Sequence, residues 1–519
     1  MKKQVLNNTA LIVIIIFASC LYLYKLNIVP NGFYVDEATV AYNAKAILET
    51  GKDEYGVFYP IYFRLLGSYT PSLYIYLLAA LIKVFGSSIF VARFISVVSA
   101  SVSIYFFYLL ITKLKLYKFQ LTYFALTLFY AISPWILFNA RVGYETTLGY
   151  LVFNIGIYYL YLASKRIEKL PVALLFLSLS TYISHNQRFL VPLFLLFYFV
   201  VFRKYLLKKK NNKFLWSAML IGFISQIPNL LMIGTKAFWI KGAQFDLGNF
   251  LTILVYLSPK TLFYQNPDID MQHVLPKVSM MFNWMAVPYL VGIYLLIKRY
   301  KTREGKFVLL YAILSLVPSL FSSQFVSSQR SLVFIVPLAI VIGMGIDELS
   351  RYLKPILRSM IFILILGYSI TMVYSSYYIL FPKEGAIGWN YGYEHIAKYI
   401  KQRPDSKFII DNSRNPRSYI LLLYFLDVPP GEYQKTIDPR YKDNYYQALP
   451  PASSYHFANV EIRQLNWETD PLEGLIIIGD PLSVSSEQAR EHKLLVLEEF
   501  KDPLNNTTFT AYKSATFDE

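Results

Sequence analysis

The sequence predicts a mostly α-helical, polytopic membrane protein of about eleven transmembrane helices with a soluble α/β domain at its C-terminal end. Three observations predict it. The 519 residues are 55% hydrophobic and 17% aromatic, with a mean hydropathy of +0.40, too apolar for an ordinary soluble globule. Apolar runs of spanning length recur as far as residue 380, and then stop. Lysine and arginine gather in short clusters between alternate runs, the pattern of cytoplasmic loops.

The runs fall at 9–27, 91–112, 119–138, 146–163, 170–185, 189–202, 214–233, 282–297, 306–321, 331–346 and 358–380. Each is near the twenty residues or so that a bilayer needs. The apolar stretch at 71–82 is too short and reads as an interfacial or re-entrant helix in the first outer loop. Charge supports that exclusion. With Lys2 and Lys3 inside, the basic clusters 113–118, 165–169, 203–213, 298–306 and 351–358 all fall on the cytoplasmic side. The first outer loop 28–90, the long outer loop 234–281 and everything after Pro382 then face away from the cytosol.

Composition removes several function classes. The net charge of +17 is dispersed in loops, and no helix-turn-helix, zinc-finger or RNA-binding signature accompanies it, so nucleic acid is not expected as a partner. The single cysteine, Cys20, excludes an internal disulfide and a multi-cysteine metal site. Residues 1–382 are expected to form the membrane domain and 383–519 an extracytoplasmic α/β domain. Strands are predicted at 407–411 and 475–480, helices near 416–426 and 484–492, and a terminal hairpin at 494–500 and 507–513. No glycine-rich phosphate loop occurs there.

The stretch that organises the chain is Gly32-Phe33-Tyr34-Val35-Asp36-Glu37-Ala38, directly after the first apolar run. Adjacent carboxylates at a membrane surface need a reason. Asp36 either caps a helix running to about Glu49 or works as a base; with only Thr39 three residues on, a full capping box is not expected. Glu37 is a candidate catalytic residue and the one side chain for which a divalent metal is considered. Asp53 and Glu54 lie in a turn marked by Gly51 and Gly56 and are candidate substrate-binding residues. Arg141 and Glu145 are four apart and would share a face if helical. His185 and Arg188, Arg330, and His273 complete the outer-face polar set. Arginine at a span end either snorkels to head groups or grips a phosphate through paired hydrogen bonds.

In combination these motifs resemble the GT-C superfamily of polyprenyl-phosphate-sugar-dependent glycosyltransferases. The closer resemblance is to glycosyltransferase family 39, the protein O-mannosyltransferase and aminoarabinose-transferase group. It is carried by VDEATVAYNAKAILETGKDEYG (35–56), YTPSLYIYLLAALIKVFGSSIFVARFISVVS (69–99) and SPWILFNARVGYET (133–146). SHNQRFLVP (184–192), YLSPKTLFYQNPDID (256–270) and SSQRSLVFIVP (327–337) extend it in the same order. The resemblance implies an undecaprenyl- or dolichyl-phosphate sugar as donor, Asp36 as general base and Glu145 as a second acid of the cavity. It implies Arg64, Arg188 and Arg330 near the donor phosphate; Arg141 is a further phosphate-binding candidate, and Tyr69, His185 and His273 are substrate-binding candidates. Where relatives often read Gly-Asp-Tyr-Lys-Pro-Pro, this chain has Gly67-Ser68-Tyr69-Thr70-Pro71-Ser72, so Thr70 stands where a phosphate-contacting lysine is expected.

The chemistry agrees with that expectation. A lipid phosphate leaves readily, so the reaction needs only a carboxylate for the acceptor's proton and positive charge for the departing phosphate. No cofactor is required, and the acceptor is a protein, lipid or glycan hydroxyl. The competing readings are a transferase-derived sensor or assembly protein and a lipid or glycan transporter. A transporter would place charge along a path through the bundle, not at one face.

Overall fold

The computed structural model describes residues 2–240, 253, 255, 257–265, 273–318, 328–447, 449–470 and 474–514. Most of the long outer loop, part of the 256–270 motif, Ser327 and the end of the 306–321 run lie outside the described residues. The chain forms two compact units: Met1–Leu26 with Arg93–Ile379, and Asn27–Ala92 with Leu380–Glu519. The first outer loop therefore groups with the C-terminal region, whereas the sequence had assigned it to the membrane domain.

The first unit is helical. Six helices are long and apolar enough to cross a membrane: Ile89–Leu114, Thr146–Ala163, His185–Leu206, Lys209–Met232, Leu332–Ser350 and Pro355–Glu384, the first and last of which run across the boundary between the units. A seventh span is possible as a bent pair, Gln120–Ile132 and Pro134–Ala140, which meet at 51°. The bend has a local cause: Pro134 lacks the N–H to continue the ladder, and Ser133 Oγ caps the new helix by accepting from Ile136 N. The expected count of about eleven is not reached among the described residues. The remaining runs fall on shorter helices: Asn7–Leu23 and Asn283–Lys298, Leu170–Ser180 and Arg303–Leu314.

Glycine lets two of these helices touch. A Cβ on Gly292 would lie 1.9 Å from Val341 O, and one on Gly345 would lie 1.8 Å from Pro288 O. Such small-residue contacts are how helices approach where lipid removes the hydrophobic drive to associate. By contrast, Phe223, Leu231, Ile363 and Leu364 are exposed on Lys209–Met232 and Pro355–Glu384, as lipid-facing residues would be.

At the basic end of this unit, buried Asp347 caps a helix other than its own. It accepts from Lys118 N, Phe119 N and Thr122 Oγ1 at 2.9–3.0 Å, satisfying the start of Gln120–Ile132. Lys165 Nζ pairs with Glu304 at 3.0 Å, and Arg299 Nη1 donates to Leu116 O at 3.2 Å.

The second unit combines α2 (Val35–Thr50), a hairpin of β1 (Tyr62–Leu65) and β2 (Ser68–Pro71), and α3 (Leu73–Phe85) with a six-stranded sheet. At 13 residues α3 is shorter than a span, the length expected of the 71–82 run. The sheet strands are β3 (Lys407–Ile410), β4 (Tyr455–Phe457), β5 (Val460–Ile462), β6 (Leu475–Gly479), β7 (Leu494–Lys501) and β8 (Thr507–Ser514). Their order is β4-β5-β3-β6-β8-β7, with β3 parallel to both neighbours and the β7–β8 hairpin antiparallel at one edge. The predicted strands and hairpin of the C-terminal region are present, as are helices at Tyr419–Phe425 and Ser486–Glu491.

Candidate active site

The adjacent carboxylates Asp36 and Glu37 occupy different positions in helix α2. Helix α2 begins after Tyr34, whose backbone is extended, so Asp36 is its second residue and not its cap. Glu37 is the third, and its Oε2 accepts from Tyr34 N at 3.2 Å, reaching back to satisfy a donor at the helix start. The capping interaction expected at Asp36 belongs to Glu37, because the box is counted from Tyr34. Glu37 is buried, while Asp36 is half-buried on the first turn of α2.

The approach to Asp36 is set by Gly32. It holds φ +107°, and a Cβ there would sit 2.3 Å from Trp389 O. Tyr34 packs on the Trp389 ring at 5.5 Å, and Asn31 Nδ2 donates to Pro382 O at 3.0 Å.

Asp53 and Glu54 are wholly buried. Asp53 Oδ1 accepts from Tyr55 N and Val57 N, forming the turn that Gly51 and Gly56 announced, and its Oδ2 accepts from Tyr445 OH at 2.6 Å. Glu54 accepts from Asn43 Nδ2 at 3.1 Å and from Tyr419 OH at 3.0 Å. Burial pushes Asp53 up to about 6, against the pull of the Tyr445 bond. Burial pushes Glu54 up to about 8; the Asn43 bond lowers it and neighbouring Asp53 raises it further.

Arg64 and Tyr69, on the paired strands β1 and β2, join the same network. Arg64 N donates to Tyr445 OH, its Nη2 donates to Leu449 O at 2.9 Å, and its guanidinium lies 4.7 Å over the Tyr441 ring. The Tyr69 hydroxyl is shared between the carbonyls of Tyr445 and Gln447. These contacts tie the first loop to residues more than 370 positions away.

The first unit holds the rest of the set. Arg141 and Glu145 do not share a helix: Arg141 follows Pro134–Ala140, and Glu145 precedes Thr146–Ala163. Buried Arg141 donates through Nη1 to Leu21 O and Tyr22 O, at the end of helix α1 (Lys2–Leu23), and packs on the Tyr377 and Tyr378 rings. Arg93, unremarked in the sequence, donates to Leu26 O at 2.9 Å. Both arginines thereby satisfy carbonyls at or just beyond a helix end that has no glycine stop.

The other motifs converge within this unit. Trp135 Nε1 donates to Ser328 O at 2.6 Å, and His273 Nδ1 lies 2.8 Å from Gln329 Nε2. Asn186 Nδ2 reaches Arg330 O at 3.5 Å, and a Cβ on Gly149, one turn after Glu145, would strike Ser184. Arg188 contacts His185 Nδ1 and stacks 5.1 Å from the Phe238 ring. Arg330 is half-buried, and loss of water pulls its pKa below the usual arginine value. The structure thus gathers Glu145, His185, Arg188, His273 and Arg330 at one pole of the first unit. Asp36, Glu37, Asp53, Glu54, Arg64 and Tyr69 belong to the second.

No protein-family profile and no curated protein sequence matches the chain. Solved structures do. ArnT from Cupriavidus metallidurans, bound to undecaprenyl phosphate, superposes with a TM-score of 0.56 over 96% of this chain and 97% of its own, at 11% identity. The chain has the GT-C fold. The archaeal oligosaccharyltransferase AglB from Archaeoglobus fulgidus, in complex with an inhibitory peptide and a dolichol-phosphate, is similar over 98% of this chain and 74% of its own. There the TM-score is 0.50 and the identity 13%. At these identities the likeness is one of fold, and it extends through both units of this chain.

Proposed function

We propose that this protein is a membrane glycosyltransferase that moves a sugar from a polyprenyl-phosphate donor to an acceptor hydroxyl on the extracytoplasmic face. The observation that carries the reading is Asp36: a half-buried carboxylate on the first turn of α2, beside Glu37, which accepts from Tyr34 N at the helix start. The acceptor oxygen attacks the anomeric carbon, the bond from that carbon to the phosphate oxygen breaks, and Asp36 takes the acceptor's proton. One displacement inverts the anomeric centre. Polyprenyl phosphate leaves with its charge, for which Arg188 and Arg330 supply guanidinium groups. Glu145 serves as the second acid of the same chemistry.

Both solved relatives were captured with a polyprenyl-type phosphate, which supports the donor class. Arg64 and Arg141 receive a different assignment from the one the sequence suggested. Their guanidinium groups brace Leu449 and the end of α1, so we place them in the scaffold with Asp53 and Glu54. The scheme uses no cofactor, and activity in the presence of a chelator tests that point and the role of Glu37.

The direct experiment offers purified protein a set of undecaprenyl- and dolichyl-phosphate sugars and follows release of the lipid phosphate. Sugar transfer to an acceptor supports the reading. A protein that binds these lipids and never turns them over would be a sensor or transporter instead.

A further inference from the structure

The sheet of the second unit carries a cavity of about 480 Å³ that the transferase chemistry does not use. Its position follows from topology. Strand β3 lies between β5 and β6, parallel to both, so the chain leaves β3 to one side and returns to β6 on the other. The loops after β3 and β6 therefore diverge at their carboxyl ends, where open α/β sheets bind ligands. Asp411 opens the first loop and Asp480 the second, and the start of β8 closes the third side.

The lining is chemically mixed. Asp411 is committed to the protein, accepting from Ser413 N and Leu465 N, both at 2.9 Å. Asp480 Oδ1 holds its own loop through Leu482 N and Ser483 N, and Oδ2 faces Arg414 Nε at 3.6 Å. The Arg414 side chain is 57% exposed. Asn415 Nδ2 makes two long contacts of 3.3 Å, to Asn390 Oδ1 and Tyr393 OH. Phe509 adds an apolar wall, admitted by Gly392, where a Cβ would come within 2.9 Å of the ring.

We infer that this cavity is a binding site for a neutral saccharide. Two carboxylates against one guanidinium disfavour a phosphate or other anion. Planar groups with paired donors and acceptors, Asp480, Arg414 and Asn415, suit vicinal hydroxyls, which give and accept at similar spacing. An aromatic wall suits the C–H face of a sugar ring, and few convergent polar groups in a partly apolar cavity mark a built site.

The test uses the full chain in phosphatidylcholine nanodiscs, which avoids sugar-based detergents. Saturation-transfer NMR and calorimetry are run with cellotetraose, mannotetraose and chitotetraose, and with inorganic pyrophosphate as the anionic probe. At least one tetrasaccharide binds, and Arg414→Ala and Asp480→Asn each weaken it about tenfold or more, the loss expected for one charge-assisted hydrogen bond. Asp480→Asn keeps the Oδ1 acceptor for its loop, and unchanged thermal unfolding confirms that each variant is folded. No tetrasaccharide binding at millimolar concentration overturns the inference. So does binding indifferent to both substitutions, or tighter binding of pyrophosphate that depends on Arg414.

Discussion

The arginines of this chain carry two kinds of work that look alike in sequence. Arg141 and Arg93 each donate to backbone carbonyls at or just beyond the end of α1, an acceptor no side-chain pattern reveals. Arg188 and Arg330 sit among motif residues at the opposite pole from the basic loops. Alanine therefore separates them. Arg188→Ala and Arg330→Ala should raise the donor KM about tenfold or more, the worth of a charge-assisted hydrogen bond, with thermal stability kept. Arg141→Ala removes the side-chain donor to Tyr22 O, while Leu21 O keeps the Tyr378 hydroxyl, and should lower the unfolding temperature instead, a loss of about 1–3 kcal/mol. Equal KM effects in all three would contradict the division. Glu37 was legible as a candidate, but its task was not. The capping box is found only by counting from Tyr34, a residue type that seldom caps.

Among elements, the helix extents were legible because long apolar runs leave few alternatives, and the β7–β8 hairpin was legible from its Asp502-to-Asn506 turn. The breaks were less so: a proline such as Pro134 bends one span, while Pro192 and Pro228 sit inside continuous helices. The packing of Asn283–Lys298 on Leu332–Ser350 rests on Gly292 and Gly345. Gly345→Val drives a side chain into Pro288 O and should abolish a sharp unfolding transition or lower it steeply, whereas Gly234→Ala, facing open space, should not. The loop that joins α2 to β1 gives a pH test. Glu54 holds its proton to about 8 when folded, against 4.5 in the unfolded chain. Its folded pKa is raised, so its contribution is complete below 4.5 and is lost as pH rises through about 8. The unfolding temperature should fall across that window, and Glu54→Gln, which keeps an acceptor for Tyr419, should flatten the fall. A stability that rises with pH there would refute the burial argument.

The whole molecule divides in a way its sequence conceals. The link between 27–92 and 380–519 depends on tyrosines 419 and 445 finding carboxylates more than 360 positions earlier, and single tyrosines in a chain with 45 of them carry no such signal. The charge of the loops, in contrast, predicts a membrane topology that can be tested. Reporter fusions after Tyr205 and Arg299 should read cytoplasmic, and one after Glu384 external; a cytoplasmic reading at Glu384 would make α3 a span. The central claim is that Asp36 is the base of a polyprenyl-phosphate sugar transferase, and turnover of purified Asp36→Asn on its lipid-phosphate donor tests it most directly. The substitution keeps the size of the side chain and leaves the Glu37 cap in place, so expression, unfolding temperature and donor binding should match the wild type. Turnover should fall by about 10²–10⁴-fold, the usual worth of general-base catalysis. Wild-type turnover from Asp36→Asn, with Glu145→Gln inactive, would move the base to Glu145 and contradict the account.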